Sequence, residues 1–177
     1  MKTEETDDRE QTPLIHYSNG AVTGRVIGYR ARKGQGYFEN DGHTYFFRTN
    51  SSSINLNYAL NHRLKRDSII TLRFWPVVPF PELLNNPVHL KVHSFPKLPQ
   101  WNINTVKICG IVHHSEVGRC IIQVPSLQRH KNYYSSVVSE KTFQPGICVK
   151  VDGLLREGRI VAKAIKEESI PESLPSQ

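Results

Sequence analysis

Hydrophobic and polar residues alternate with a period of two along much of residues 22–93, in short runs separated by Gly, Asn, Ser and Pro. Successive side chains of a strand point to opposite faces, so this pattern predicts half-buried β-strands. Five short strands in one such stretch are typical of a small closed barrel of the OB type. The predicted strands are 22–29, 36–39, 44–48, 68–75 and 88–93.

The period-two alternation of hydrophobic and polar residues resumes after a proline-containing segment. Residues 106–113 and 118–124 predict one hairpin, and residues 146–155 and 159–165 predict another. Residues 133–140 between them are predicted to be weakly helical, as are residues 58–64 in the first half. The apolar positions that alternate with polar neighbours, and are therefore predicted to be buried, are Val106, Ile108, Ile122, Val149, Val151, Val161 and Ile165.

We therefore predict an all-β protein of two tandem OB-type five-stranded barrels with little helix. Its predicted organisation is a disordered arm (1–19), a first barrel (20–95), a linker (96–101), a second barrel (102–166) and a disordered acidic tail (167–177).

The charge is unevenly distributed. The net charge is +7, but the first ten residues carry −3 and the last twelve carry −2, so residues 11–165 carry +12. A core this basic favours polyanions, because phosphate contacts release condensed counterions.

The cellular compartment of the protein is predicted from its targeting signals and its cysteines. The N-terminus is acidic without an apolar run, and no stretch approaches the roughly 20 apolar residues of a membrane helix. The three cysteines all lie in apolar, strand-like runs. They are predicted to be buried free thiols, which favours a reducing, cytoplasmic location and no membrane partner.

Aromatic, basic and glycine residues are interleaved in residues 24–52. Strand alternation places Tyr37 and Phe46 on one face and Phe38, Tyr45 and Phe47 on the other. Solvent-facing rings beside cations are suited to unpaired nucleobases, which stack on the rings while the cations hold phosphates. The alternative is an ordinary hairpin whose rings all belong to the core.

Residues 24–52 resemble the cold-shock domain in an ungapped register, with Arg48 in place of the family's His. Three positions depart from the family: Gly28 replaces a Trp, while Gln35 and Thr49 each replace an aromatic ring. The resemblance implies an OB barrel that binds single-stranded nucleic acid. The positions that match are Gly24, Val26, Tyr29, Lys33, Gly34, Gly36, Tyr37, Phe38 and Phe46.

The predicted function is non-catalytic binding of single-stranded RNA or DNA with low sequence specificity, RNA being favoured. The residues predicted to hold phosphates are Arg25, Arg30, Arg32, Lys33 and Arg48. Those predicted to stack on bases are Tyr29, Tyr37 and Phe46.

An alternative function is a protein-interaction or scaffold module, with a protein partner docking on the proline-rich segment 75–84. Enzyme activity is not predicted, because none of the common catalytic motifs occurs. Cysteines 11 and 28 residues apart match no zinc motif, so no metal or cofactor is predicted.

Overall fold

The computed structural model describes residues 16–49, 66–84, 87–96, 98–126 and 131–168. This part of the chain is all-β, with ten strands and two 3-10 turns. The turns are Ala31–Lys33 and Pro81–Leu83. The strands are β1 (Tyr17–Arg30), β2 (Gln35–Asn40), β3 (His43–Thr49), β4 (Ile69–Trp75), β5 (Leu90–Ser94), β6 (Asn104–Glu116), β7 (Arg119–Ser126), β8 (Lys131–Val138), β9 (Cys148–Arg156) and β10 (Arg159–Glu168).

The first five strands close into a barrel. Antiparallel pairs join β1 to β2, β2 to β3, β5 to β4 and β4 back to β1, while β3 and β5 run parallel. The prediction of an all-β fold with a five-stranded barrel in the first half is confirmed. The side chains that fill this barrel are Val22, Val26, Phe38, Tyr45, Phe47, Leu72, Phe74, Leu90 and Val92.

Two glycines of this barrel are required by close packing and by backbone conformation. A Cβ at Gly36 would lie 2.6 Å from the Phe47 ring and 2.5 Å from the carbonyl oxygen of Gly28. Gly34 has a φ of +59°, which favours glycine, and its carbonyl accepts hydrogen bonds from the Thr49 amide and hydroxyl. Both glycines are therefore required by the packing and backbone conformation of this barrel.

Strands β6–β10 repeat the same order of pairings. Antiparallel pairs join β6 to β7, β7 to β8, β10 to β9 and β9 back to β6, and β8 runs parallel to β10. Val161 and Ile165 are only partly buried. Val161 follows the buried Ile160 on β10, so its side chain points to the opposite face of the strand. The other predicted core positions of this half are buried: Val106, Ile108, Ile122, Val149 and Val151.

Three local predictions are wrong within the described residues. Residues 133–138 belong to strand β8 and are not helical, because they pair along their length with β7. Residues 17–19 are part of β1 and pair with β6, so the predicted arm does not extend to residue 19. Residues 167 and 168 extend β10 opposite β9, so they are not part of a disordered tail. The predicted helical segment 58–64 and the rest of both termini lie outside the described residues.

The two halves of the described chain, β1–β5 and β6–β10, are joined by the pairing of β1 with β6, which we call the seam. Residues 17–22 of β1 pair antiparallel with residues 104–109 of β6, which makes one continuous ten-stranded sheet. The Gly158 amide donates to the buried Tyr45 hydroxyl at 3.1 Å, and the Gly158 carbonyl accepts from the Val88 amide at 2.7 Å. Buried side chains of both halves form one hydrophobic cluster.

The predicted linker and the proline-rich segment also make hydrogen bonds to the sheet. In the predicted linker, the Gln100 amide donates to the Thr71 hydroxyl at 2.8 Å. In the proline-rich segment, Val78 and Tyr134 exchange two backbone hydrogen bonds of 2.8 and 2.9 Å. Part of that segment therefore packs against the second half. No helix in the described ranges is long and apolar enough to span a membrane.

Candidate nucleic-acid interface

Three rings form a row on the outside of the barrel, which we call the aromatic row: Tyr37, Phe46 and His89. Tyr37 and Phe46 are direct partners in the β2–β3 pairing, with ring centroids 5.7 Å apart in an edge-to-face arrangement. Phe46 meets His89, just before β5, at 5.2 Å. Tyr37 is 53% exposed, whereas Phe38, Tyr45 and Phe47 are completely buried. The predicted division of the five rings between two faces is confirmed.

A second row lies two residues further along the same strands. The register aligns Arg30 with Gln35, Gln35 with Arg48, and Arg48 with Lys91. All three cations are exposed. We call Arg30, Gln35, Arg48 and Lys91 the basic row. Because a strand rises about 3.3 Å per residue, the two rows run side by side about 7 Å apart.

Trp75 stands at the end of the basic row, where it pairs with Lys91 across β4 and β5. The Lys91 ammonium lies 5.5 Å from the centroid of the Trp75 ring. The centroids of the Trp75 and His93 rings are 4.7 Å apart. Burial, and secondarily the charge of Arg73, lowers the pKa of His93. The His93 ring therefore remains neutral beside Trp75 near neutral pH.

Two predicted cations adjoin the basic row and one does not. Arg32 and Lys33 are exposed on the 3-10 turn that follows Arg30. Arg25 instead contacts Glu39 at 2.9 Å and Asp67 at 3.0 Å. These two carboxylates raise the pKa of Arg25, mainly through the hydrogen bond to Glu39. Arg25 is therefore already neutralised within the protein.

Tyr29, a predicted stacking ring, lies apart from the aromatic row. It is partly buried against the core and stacks on Phe47 with centroids 5.9 Å apart and an interplanar angle of 2°. Its hydroxyl is buried and makes no hydrogen bond to any described residue. One face of this ring is thus occupied by the barrel interior.

The three departures from the cold-shock pattern have different structural settings. Gly28 lies opposite Tyr37, and a Cβ built on it meets no atom within 4 Å, so the space beside the aromatic row is open. Gln35 lies in the basic row. Thr49 is only 3% exposed and hydrogen-bonds to Gly34, so a ring at this position would face the interior.

Sequence reasoning missed Trp75, His89 and Lys91. They join the surface through the β3–β5 and β4–β5 pairings, which connect residues 43 and 16–21 positions apart in the chain. Contacts over such separations are not visible in a local sequence pattern. The sequence signal that could have suggested Lys91 is the alternation of apolar and polar residues in Leu90–Ser94.

A separate group of side chains could hold a metal ion. The ligand atoms of His16, Cys109 and Cys148 all lie within 4.8 Å of one another. All three cysteines of the chain are free and buried, as predicted. Burial raises the pKa of Cys109 and raises that of Cys148 to about 11, with the neighbouring Cys109 adding to the effect at Cys148.

Comparisons with known proteins add no family. The chain matches no model in a scan of protein families and no curated protein in a sequence search. The function of this chain is therefore inferred from its own residues and their geometry.

Proposed function

We propose that this protein binds single-stranded nucleic acid without catalysis and with low sequence specificity, RNA being favoured over DNA. The observation that carries the proposal is the pair of adjacent rows on one face of the barrel. Bases stack on the aromatic row while the basic row and the Arg32–Lys33 turn hold the phosphates. Stacking tolerates any base, which accounts for the low sequence specificity.

The barrel supports this proposal. A five-stranded barrel in the cyclic order β1-β2-β3-β5-β4, with β3 parallel to β5, fits the OB fold, and its β2–β3 face is where OB folds bind oligonucleotides. We assign the first half to a cold-shock-like OB barrel on this basis and on the motif of residues 24–52. The repeated pairing order of β6–β10 supports a second OB-type barrel in tandem.

The free energies expected for the individual contacts favour a modest affinity that is the sum of several contacts. Each stacked base contributes roughly 1–3 kcal/mol, and two aromatic rings of the row, Tyr37 and Phe46, are available. Phosphate contacts by Arg30, Arg48 and Lys91 add a term that weakens as salt rises. The charge of +12 on residues 11–165 strengthens this electrostatic term.

One observation favours a second function as a protein-interaction module. Phe80 and Leu83, in the proline-rich segment, are 61% and 47% exposed, although Val78 in the same segment is hydrogen-bonded to Tyr134. A partner docking on these apolar residues would bind with little salt dependence. Phosphate binding would weaken steeply with salt, so salt dependence separates the two functions.

The first test removes Tyr37 and Phe46, two of the three rings of the aromatic row. We expect Tyr37→Ala with Phe46→Ala to weaken binding of a labelled single-stranded RNA by at least about tenfold, because two stacking partners are lost. Fluorescence anisotropy measures the affinity, and thermal melting checks the fold. Trp101→Ala is the control, since Trp101 is 85% exposed and lies outside both rows. A double variant that stays folded and binds like the parent would contradict the proposal.

The second test concerns the basic row. We expect Arg48→Ala and Lys91→Ala each to lower the slope of log affinity against log salt by about one, because each removes one phosphate contact. Arg119→Ala is the matched control, since Arg119 is an exposed cation on β7 that hydrogen-bonds to Ser136. Slopes equal to that of the parent in all three variants would mean that the basic row does not bind phosphate. Single-stranded DNA and duplex, titrated in parallel, report the preference for RNA.

A further inference from the structure

We propose that His16, Cys109 and Cys148 form a zinc site at the seam between the two halves. The proposal does not depend on nucleic-acid binding, because the three residues lie outside the aromatic and basic rows.

The fold brings these residues together from three separate segments. Cys109 pairs with Lys150 and Cys148 pairs with Ile111, so the two cysteines lie diagonally across the β6–β9 pairing on one face. His16 immediately precedes Tyr17, the residue of β1 that pairs with Cys109. The spacing of the three ligands along the chain is therefore long, although their positions in the sheet are adjacent.

The distances fit a small metal ion after a minor contraction. The three ligand atoms lie within 4.8 Å of one another. Bond lengths of about 2.3 Å to sulfur and 2.0–2.1 Å to nitrogen put the ligand atoms of a tetrahedral zinc ion about 3.5–3.8 Å apart. A shift of about 1 Å or less at each side chain closes this difference, which rotation about side-chain bonds can supply.

An unpaired polar atom points to a missing partner. The Nδ1 atom of His16 is buried and makes no hydrogen bond to any residue that the structure describes. A buried polar atom without a partner costs free energy, so such atoms in native proteins require an explanation. Coordination to a metal ion between the two thiolates would satisfy this nitrogen.

The chemistry of the ligands selects zinc. Thiolate and imidazole ligands suit Zn²⁺ and Cu⁺ but not Mg²⁺ or Ca²⁺. Two thiolates with Zn²⁺ make a neutral site, whereas Cu⁺ would leave a net negative charge among buried residues. Within the described ranges, no further His, Cys, Asp or Glu joins the group.

The position of the site gives it a structural role. His16 precedes β1 of the first half, whereas Cys109 and Cys148 belong to β6 and β9 of the second half. A zinc ion bound by all three would fasten the start of β1 to the second half. Zinc should thus raise the thermal stability of the full chain and slow hydrogen exchange at residues 17–22.

Metal titration of the reduced, metal-free full chain tests the assignment. We expect one Zn²⁺ per chain, and Co²⁺ in its place should give thiolate-to-metal charge-transfer and tetrahedral d–d absorption bands. Cys109→Ser, Cys148→Ser and His16→Gln should each weaken zinc binding by more than about 100-fold, because each removes one of three protein ligands. Cys120→Ser should bind like the parent, since Cys120 is a buried thiol of the same half outside the group.

His16→Gln keeps the test valid if the cysteine variants fail to fold, because His16 precedes β1 and is only partly buried. In this variant zinc should no longer raise the melting temperature. The assignment is overturned if the parent shows no cobalt–thiolate band, if it takes up Cu⁺ but not Zn²⁺, or if His16→Gln binds zinc as tightly as the parent. A parent chain that takes up no zinc and forms a Cys109–Cys148 disulfide also overturns it.

Discussion

Gly28 lies directly across the β1–β2 pairing from Tyr37, in the position where the cold-shock pattern has a Trp. A side chain there would enter open space, and its backbone is not in the left-handed region that favours glycine. We therefore expect Gly28→Trp to add a third stacking ring and to tighten binding of single-stranded RNA by roughly 5- to 150-fold, which corresponds to about 1–3 kcal/mol.

Fluorescence anisotropy measures this gain, with Gly28→Ala as the control that fills the position without adding a ring. Gly28→Ala should bind like the parent. If Gly28→Trp folds normally and binds no more tightly than Gly28→Ala, bases do not stack on this face.

The Tyr45 hydroxyl is the buried acceptor for the Gly158 amide of the other half. Tyr45→Phe leaves that buried amide without its partner, so we expect the free energy of unfolding to fall by about 1–3 kcal/mol. Urea denaturation measures the change. Tyr37→Phe is the control, since the exposed Tyr37 should lose its hydroxyl at little cost.

The same hydroxyl predicts a dependence on alkaline pH. Burial raises the pKa of Tyr45 above its usual value near 10, so the folded state holds this proton more tightly than the unfolded state does. The contribution of Tyr45 to stability is therefore complete below about pH 10 and is lost as pH rises through the raised pKa. The difference in unfolding free energy between the parent and Tyr45→Phe should narrow above pH 10. A constant difference would contradict this expectation.

Strand alternation was sufficient to predict the direction of side chains within one strand but not their partners. It correctly divided the five rings of β2 and β3 between the two faces. It could not show that Arg25 is neutralised, because Asp67 is 42 residues away along the chain. Sequence alone also cannot show that Tyr29 stacks on Phe47, because this contact depends on how β1 crosses the barrel. The prediction that Tyr29 stacks on bases does not take this contact into account.

At the scale of elements, local pattern predicted nine of the ten described strands but not the connections that complete the surface. β8 was predicted to be helical because a weak alternation, read alone, does not reveal its pairing with β7. The parallel pairing of β3 with β5 brings Lys91 beside Arg48 and His89 beside Phe46. The candidate interface is thus a product of topology as much as of the motif in residues 24–52.

The three proposed zinc ligands are likewise brought together by the order of the strands and not by a local sequence motif. Metal motifs are recognised in sequence when their ligands are closely spaced on a turn or a helix. His16, Cys109 and Cys148 instead meet because β1 and β9 flank β6 on opposite sides. They are neighbours because of the strand order in the sheet, which the sequence alone does not predict.

For the whole molecule, the contacts between halves predict that they unfold together. Residues 17–22 pair with residues 104–109, and the Tyr45–Gly158 and Val78–Tyr134 hydrogen bonds cross between the halves. A fragment of residues 100–168 would lose all of these contacts and expose the part of the shared core that faces the first half. We therefore expect it to be much less stable than the full chain, since about 70 residues support only a marginal core.

The chain carries separate reporters for testing this coupling. Trp75 lies in the first half, whereas all three cysteines are buried in the second. In a Trp101→Phe background with a chelator present, the fluorescence of Trp75 and thiol labelling should show a single urea transition with the same midpoint, because the two halves share one hydrophobic cluster. Leu72→Ala removes a fully buried side chain from the first half, which costs about 2–5 kcal/mol. It should lower both midpoints equally. A shift of the fluorescence midpoint alone, with thiol labelling unchanged, would mean that the seam does not couple the halves.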